Sequence, residues 1–238
     1  MKLNIGRLAR ALHKWLGLAL GLQLSIWSLS GFYMVAVDLD FIHGDFLVRP
    51  APPLGDIANV LSLASLQSAH GTRSVRLKAL PGVGHPVYEI QGHGGTHLVD
   101  ALTGQALSPL SKETIAAIAR SQYAAGGTIA GVELFSTAPV EARGRKAPLW
   151  RVDFDDAWRT SFYFDPDSGA LLTKRHRWWR GFDAFWMLHV MDYGAERDDV
   201  NNVLLRTVGG FSSILALSGI VLLFYSFGWL PRRRSIRS

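Results

Sequence analysis

Eight histidines, four methionines and no cysteine form the inventory of soft ligands in this 238-residue chain. Without thiolates, a redox metal or a haem iron has to be held by imidazole, thioether, carboxylate or phenol, and no disulfide can staple the fold. His13 opens a long apolar run, and one helical face there reads His13, Gly17, Gly21 and Ser25 at steps of four. Glycine on such a face lets a second helix or a flat ring come close to the backbone. His189 sits in a different pattern: Trp178, Phe182, Phe185, Trp186, His189 and Tyr193 recur at three- and four-residue steps, with Met187 and Met191 bracketing the histidine. Imidazole and thioether are the donors that haem iron or a soft metal takes when cysteine is missing, so Met187 and Met191 are candidate metal ligands beside His189. His43, shortly beyond the first apolar run, is a third imidazole that could partner His189. Plainer readings exist for each: an interfacial histidine beside a helix-packing seam for His13, an aromatic belt for the stripe, an ordinary turn for His43-Gly44-Asp45.

The elements that must position these residues begin with two uncharged stretches, 16–37 and 207–230. Each is long enough to cross a hydrocarbon core of about 30 Å as a helix. The first exceeds a secretory h-region of about 7–15 residues and offers no small-residue cleavage site, so it is expected to stay as an anchor. Lys2, Arg7, Arg10 and Lys14 precede the first stretch and Arg232, Arg233, Arg234 and Arg237 follow the second, with no acid in either tail. Both termini therefore read as cytoplasmic, and the segment between as extracytoplasmic. All 19 acids lie between Asp38 and Asp199, so the net charge of +6 is a signal of topology and not of nucleic-acid binding. Neither apolar stretch contains an ionisable residue, which excludes a proton relay or ion pathway through a single copy. No nucleophile-elbow, zinc-protease or dinucleotide-binding motif occurs.

The middle segment punctuates itself into a doubled unit. Val87-Tyr88-Glu89-Ile90, a glycine-rich turn and Thr96-His97-Leu98-Val99-Asp100 read as a hairpin that closes on Asp100-Ala101-Leu102-Thr103-Gly104. Some 65 residues later, Leu149-Trp150-Arg151-Val152 and Ser161-Phe162-Tyr163-Phe164-Asp165 repeat the pattern and close on Asp165-Pro166-Asp167-Ser168-Gly169. Helices are expected before each hairpin, at 57–68 and 111–123, the second capped by Ser111. His70, His85, His93 and His97 fall in polar or glycine-rich contexts, and Lys174-Arg175-His176-Arg177 reads as a cationic stretch at a membrane surface.

The helix, strand, turn and strand ending in Val99-Asp100-Ala101-Leu102-Thr103-Gly104 resemble the PepSY module. The start of the first apolar helix, Arg7 through Gly17 with Leu12-His13-Lys14-Trp15-Leu16-Gly17, resembles the PepSY-associated transmembrane family, as do Leu188-His189 and Ser218-Gly219. Many relatives in that family have four or more spans, where this chain has two. The expected fold is membrane α plus α+β, with these boundaries: a cytoplasmic tail (1–15), a first span (16–37), two PepSY-like units (38–110 and 111–175), an aromatic juxtamembrane helix (176–201), a second span (202–230) and a basic tail (231–238).

The resemblance implies a function, since some members of that family are siderophore-iron reductases. The expectation is a haem-containing inner-membrane reductase, with haem b held by His13 and His189, and His43 as a further ligand, passing electrons from a separate cytoplasmic donor to ferric iron or a ferric siderophore. Two spans are too few to enclose a haem, and His13 and His189 lie at opposite surfaces, so a homodimer in membrane lipid, with four helices and paired histidines, is expected. The competing expectations are a membrane-anchored PepSY binding or inhibitory module without a cofactor, and copper or iron handling through Met34, Met187 and Met191. Carboxylates at Asp153, Asp155, Asp156 and Asp192, Glu196, Asp198, Asp199 could draw a hard cation, or simply solvate the surface.

Overall fold

The computed structural model describes residues 5–55, 57–62, 73–92, 95–194 and 199–228. The chain divides into two compact units, a helical one built from Met1–Ala36 with Asp183–Ser238, and a β-rich one, Val37–Phe182.

In the helical unit, α1 (Ile5–Ala36) and the C-terminal helix run antiparallel, because early residues of one meet late residues of the other: Gly6 faces the Tyr225 ring and Gly17 faces Leu215. Both helices are long and apolar enough to cross a membrane. Their outward faces are bare, with Leu18, Leu22 and Phe32 more than 70% exposed, which a core helix of a water-soluble fold would not tolerate. The helix starts well before residue 16, so Arg7, Arg10 and Lys14 are part of it.

The β-rich unit opens with a short helix, α2 (Leu39–His43), whose N-cap Asp38 accepts from the Phe41 amide. Strands β1 (Ser74–Ala79), β2 (Pro86–Gly92) and β3 (Gly95–Asp100) form one antiparallel meander. Helix α3 (Lys112–Gln122) follows, with the Ser111 hydroxyl accepting from the Thr114 amide at 3.2 Å as expected of the cap. A second meander takes the order β4 (Thr128–Phe135), β5 (Leu149–Asp155), β6 (Ser161–Phe164) and β7 (Leu171–Arg175). The apolar face of α3, Ile115, Ile118 and Ala119, packs into one core with Val87 and Leu98 of the first sheet and Val152, Phe154, Phe162 and Phe164 of the second. Each sheet alone has too little partner surface for its inner face, and the shared helix supplies it.

The doubling read from the sequence is a doubling of hydrogen bonds. Asp100 Oδ1 accepts from the Leu102 and Thr103 amides, and Asp165 Oδ1 accepts from the Asp167 and Ser168 amides. The amide of Gly104 donates to the Asp100 carbonyl and that of Gly169 to the Asp165 carbonyl, and both glycines have positive φ. Residues at an offset of 65 therefore make the same turn.

Four expectations are corrected. Strands β1 and β4 stand between each expected helix position and its hairpin. They escape a reading that looks for two strands around a tight turn, because their connections are longer. Residues 57–62 run as turn and irregular backbone, not helix; the rest of the 57–68 stretch lies outside the described residues. The helix expected over 176–201 is α4 (Arg177–Val190), which stops because Met191 adopts φ 54° and the Asn202 side-chain amide donates to the Val190 carbonyl. The final helix is α5 (Val203–Ser226), with the Asn202 side chain accepting from the Leu205 amide. Finally, His176 is not a surface cation. It is fully buried, boxed by Phe41, Phe46 and Trp158, and its Nε2–H donates to the carbonyls of Phe41 and Ile42 at 3.0 Å each. Burial holds its pKa below the ordinary histidine value, against the pull of the two carbonyls, so the ring is neutral.

Candidate cofactor-binding sites

His13 lies on the face of α1 that meets α5. Its Nδ1 is 3.1 Å from Ser218 Oγ and 3.3 Å from the Leu215 carbonyl oxygen. A Cβ built on Gly219 would stand 3.0 Å from His13 Cε1, so a larger residue would crowd the ring. His189, near the end of α4, makes a parallel set of contacts with α1. Its Nδ1 is 2.9 Å from Ser30 Oγ, and a Cβ on Gly31 would stand 3.4 Å from its Cε1. The Trp27 indole N–H donates to the His189 carbonyl at 2.8 Å and fixes the backbone beneath the ring.

The two environments are the same device used twice. Leu29-Ser30-Gly31 in α1 and Leu217-Ser218-Gly219 in α5 each present a hydroxyl and a bare backbone to one imidazole. Among the described residues, neither Nε2 has a hydrogen-bond partner. His13 and Ser30 are separated along α1 by about 26 Å at 1.5 Å per residue, close to the thickness of a hydrocarbon core.

No family model, curated protein or solved structure matches this chain.

The remaining candidates fall differently. His43 ends α2 with an exposed side chain and belongs to the β-rich unit; its charge when protonated helps keep the Asp45 carboxyl low, behind the larger effect of Lys174 at 2.7 Å. Met191 is buried as the left-handed residue that ends α4, and Met187 is half-buried on the same helix. Tyr193 lies beyond that helix, so the aromatic stripe closes at His189. Gly21 has nothing within 4 Å of a built Cβ, whereas Gly17 meets Leu215, so the small-residue face splits between a contact and open space.

Of the carboxylates singled out for cation capture, Asp153 accepts from Arg151 Nε and the Ser161 hydroxyl. Asp156 accepts from Tyr123, from the Thr160 amide and from the Thr160 hydroxyl. Asp192 accepts from the amides of Gly194 and Asp199. Their lone pairs organise loops. No group of three or more histidine, aspartate or glutamate side chains comes together among the described residues, while Glu196 and Asp198 lie outside them.

The sequence singled out both histidines but not Ser30. Ser218-Gly219 was visible as a motif; the signal for Ser30 was its repetition as Leu-Ser-Gly in the first apolar run.

Proposed function

We propose that this chain is a two-pass membrane protein that holds haem b at His13 and His189 and carries electrons across the bilayer to ferric iron, free or bound by a siderophore. One observation carries the reading: an imidazole at each end of an apolar helix pair, each with Nδ1 engaged and Nε2 unpartnered. A ligating histidine characteristically gives its second nitrogen to a neighbouring acceptor, which orients the ring and strengthens the donor atom. The donor set fits haem iron, and a glycine lies beside each imidazole on the facing helix.

Bound haem would supply reversible one-electron chemistry at iron. The chain's part is to orient the two Nε2 atoms, exclude water with Leu and Phe side chains and hold the sites at opposite surfaces. Each ferric ion reduced takes one electron, so a cytoplasmic reductant must supply one for each. The basic residues around α1 and after α5 support cytoplasmic termini, leaving Val37–Phe182 outside. A homodimer would complete the ligand count by pairing each histidine with its symmetry mate. The resemblance to the PepSY-associated transmembrane family supports ferric iron as the acceptor.

The test is an absorption spectrum of the detergent-purified chain before and after dithionite, with haem quantified per chain. A Soret band that shifts and sharp α and β bands on reduction are expected. His13→Ala and His189→Ala should each remove about half the haem, and the double variant all of it. A featureless spectrum from protein produced with ample haem would leave a membrane-anchored binding module as the better account.

A further inference from the structure

We infer that Ser218 and Ser30 are positioning residues that hold His13 and His189 as Nδ1–H tautomers, so that Nε2 is the free donor atom at both sites. A serine hydroxyl has one hydrogen to give, and Ser218 gives it to the Leu215 carbonyl in its own helix at 2.7 Å. The Ser218 oxygen, 3.1 Å from His13 Nδ1, is then an acceptor. The Leu215 carbonyl, 3.3 Å from the same nitrogen, can only accept, so both contacts require hydrogen on Nδ1. Ser30 repeats the logic. Its hydroxyl donates back to the Ile26 carbonyl at 2.7 Å, with Trp27 O at 3.2 Å, leaving its oxygen to receive Nδ1–H of His189 at 2.9 Å.

Burial sharpens the demand. Ser30 and Ser218 are 1% and 6% exposed, so an imidazole nitrogen turned toward them without a proton would set two lone pairs against each other where water cannot intervene. Glycine lies against each ring: a Cβ at 219 would crowd His13 Cε1 at 3.0 Å, and one at 31 would just touch His189 Cε1 at 3.4 Å. The layout is reciprocal: α1 contributes the ligand at one end and the clamp at the other.

The meaning of the free Nε2 rests on the haem reading, but the tautomers can be measured without haem. In the full-length chain, labelled with ¹⁵N-histidine, stripped of haem and held in nanodiscs at pH 8, long-range ¹H–¹⁵N correlation is expected to show both residues with a protonated Nδ1 and an unprotonated Nε2. Ser218→Ala should move His13 toward the Nε2–H form that free imidazole favours, with His189 unchanged. Ser30→Ala should do the converse, and Ser→Thr at either position should keep the native pattern. An Nε2–H signal at either histidine in the native chain, or serine variants that leave the tautomers where they were, would overturn the inference. In haem-loaded protein, each alanine variant should release haem from its own site about 10–100-fold more readily, the usual effect of losing a ligand's hydrogen-bond partner. Locked tautomers in a chain that takes up no haem would retain the serine assignment and refute the haem reading, so the two fail separately.

Discussion

Histidine serves two opposite purposes in this chain. His13 and His189 have one nitrogen engaged and one open, whereas His176 is enclosed by aromatic rings and spends Nε2–H on the last carbonyls of α2. Its Nδ1 is buried without a partner among the described residues, so a second proton there would have no acceptor. Because burial lowers its folded pKa, the unfolded chain binds the proton more readily. The stability that His176 contributes is complete above about pH 6.5 and is lost as pH falls through the lowered folded value. Urea midpoints should therefore drop between pH 7.5 and 5, and His176→Phe should flatten that part of the profile. At pH 7.5 the same substitution should cost about 1–3 kcal/mol, since it takes the ring's donor from the Ile42 carbonyl, while the Phe41 carbonyl keeps the Gly44 amide.

At the scale of elements, the repeated Asp-to-Gly turn is the unit from which the β-rich part is built, and its two copies are not equally demanding. Gly104 and Gly169 both take positive φ, but a Cβ at Gly169 would meet Leu110 at 2.9 Å, Ile118 at 3.1 Å and Leu80 at 3.2 Å, all in the shared core. At Gly104 it would meet, among the described residues, Leu61 at 3.1 Å. Gly169→Ala should cost about 1–2 kcal/mol for the left-handed backbone and about as much again for overpacking, and Gly104→Ala mainly the former. Thermal unfolding of the two variants side by side checks the order. The start of α4 is tied to the second sheet by Arg180, which donates to both oxygens of Glu141 at 2.6 and 2.9 Å and to Ser161 Oγ at 3.0 Å. Burial would raise the Glu141 carboxyl, but Arg180 and the Tyr163 hydroxyl outweigh it and keep the group below its ordinary range. Stability from this cluster is present above about pH 4.3 and lost as pH falls through the folded value, a second decline separate from that of His176.

Across the whole molecule, a unit with its own closed core sits in the chain between two helices that bury little against each other. Residues 37–182, produced alone, should fold and melt in one transition, since the core around α3 draws on nothing outside them. That fragment should bind no haem, because both clamped histidines and both serines lie in the helical unit. Haem bound to 37–182 would move the site out of the helix pair and contradict the proposed ligands.

The sequence by itself determined the two apolar helices, the Ser111 cap and the repeated turn. Each is a local signal, set by a run of side chains, a cap or a φ that only glycine takes easily. It also marked His13 and His189 by their neighbours. Tertiary structure decided the rest. Strands β1 and β4 are defined by partners across long connections, and alternation in a half-exposed strand is too weak to announce them. His176 looked like a solvated residue among Lys174, Arg175 and Arg177, and is fully buried because α2 and Trp158, distant in sequence, close over it. Ser30 and Ser218 are ordinary helix residues until antiparallel packing brings each to an imidazole 159 and 205 positions away. A hydrogen bond across such a separation leaves no periodic trace in the chain, since its geometry exists only once the helices have packed.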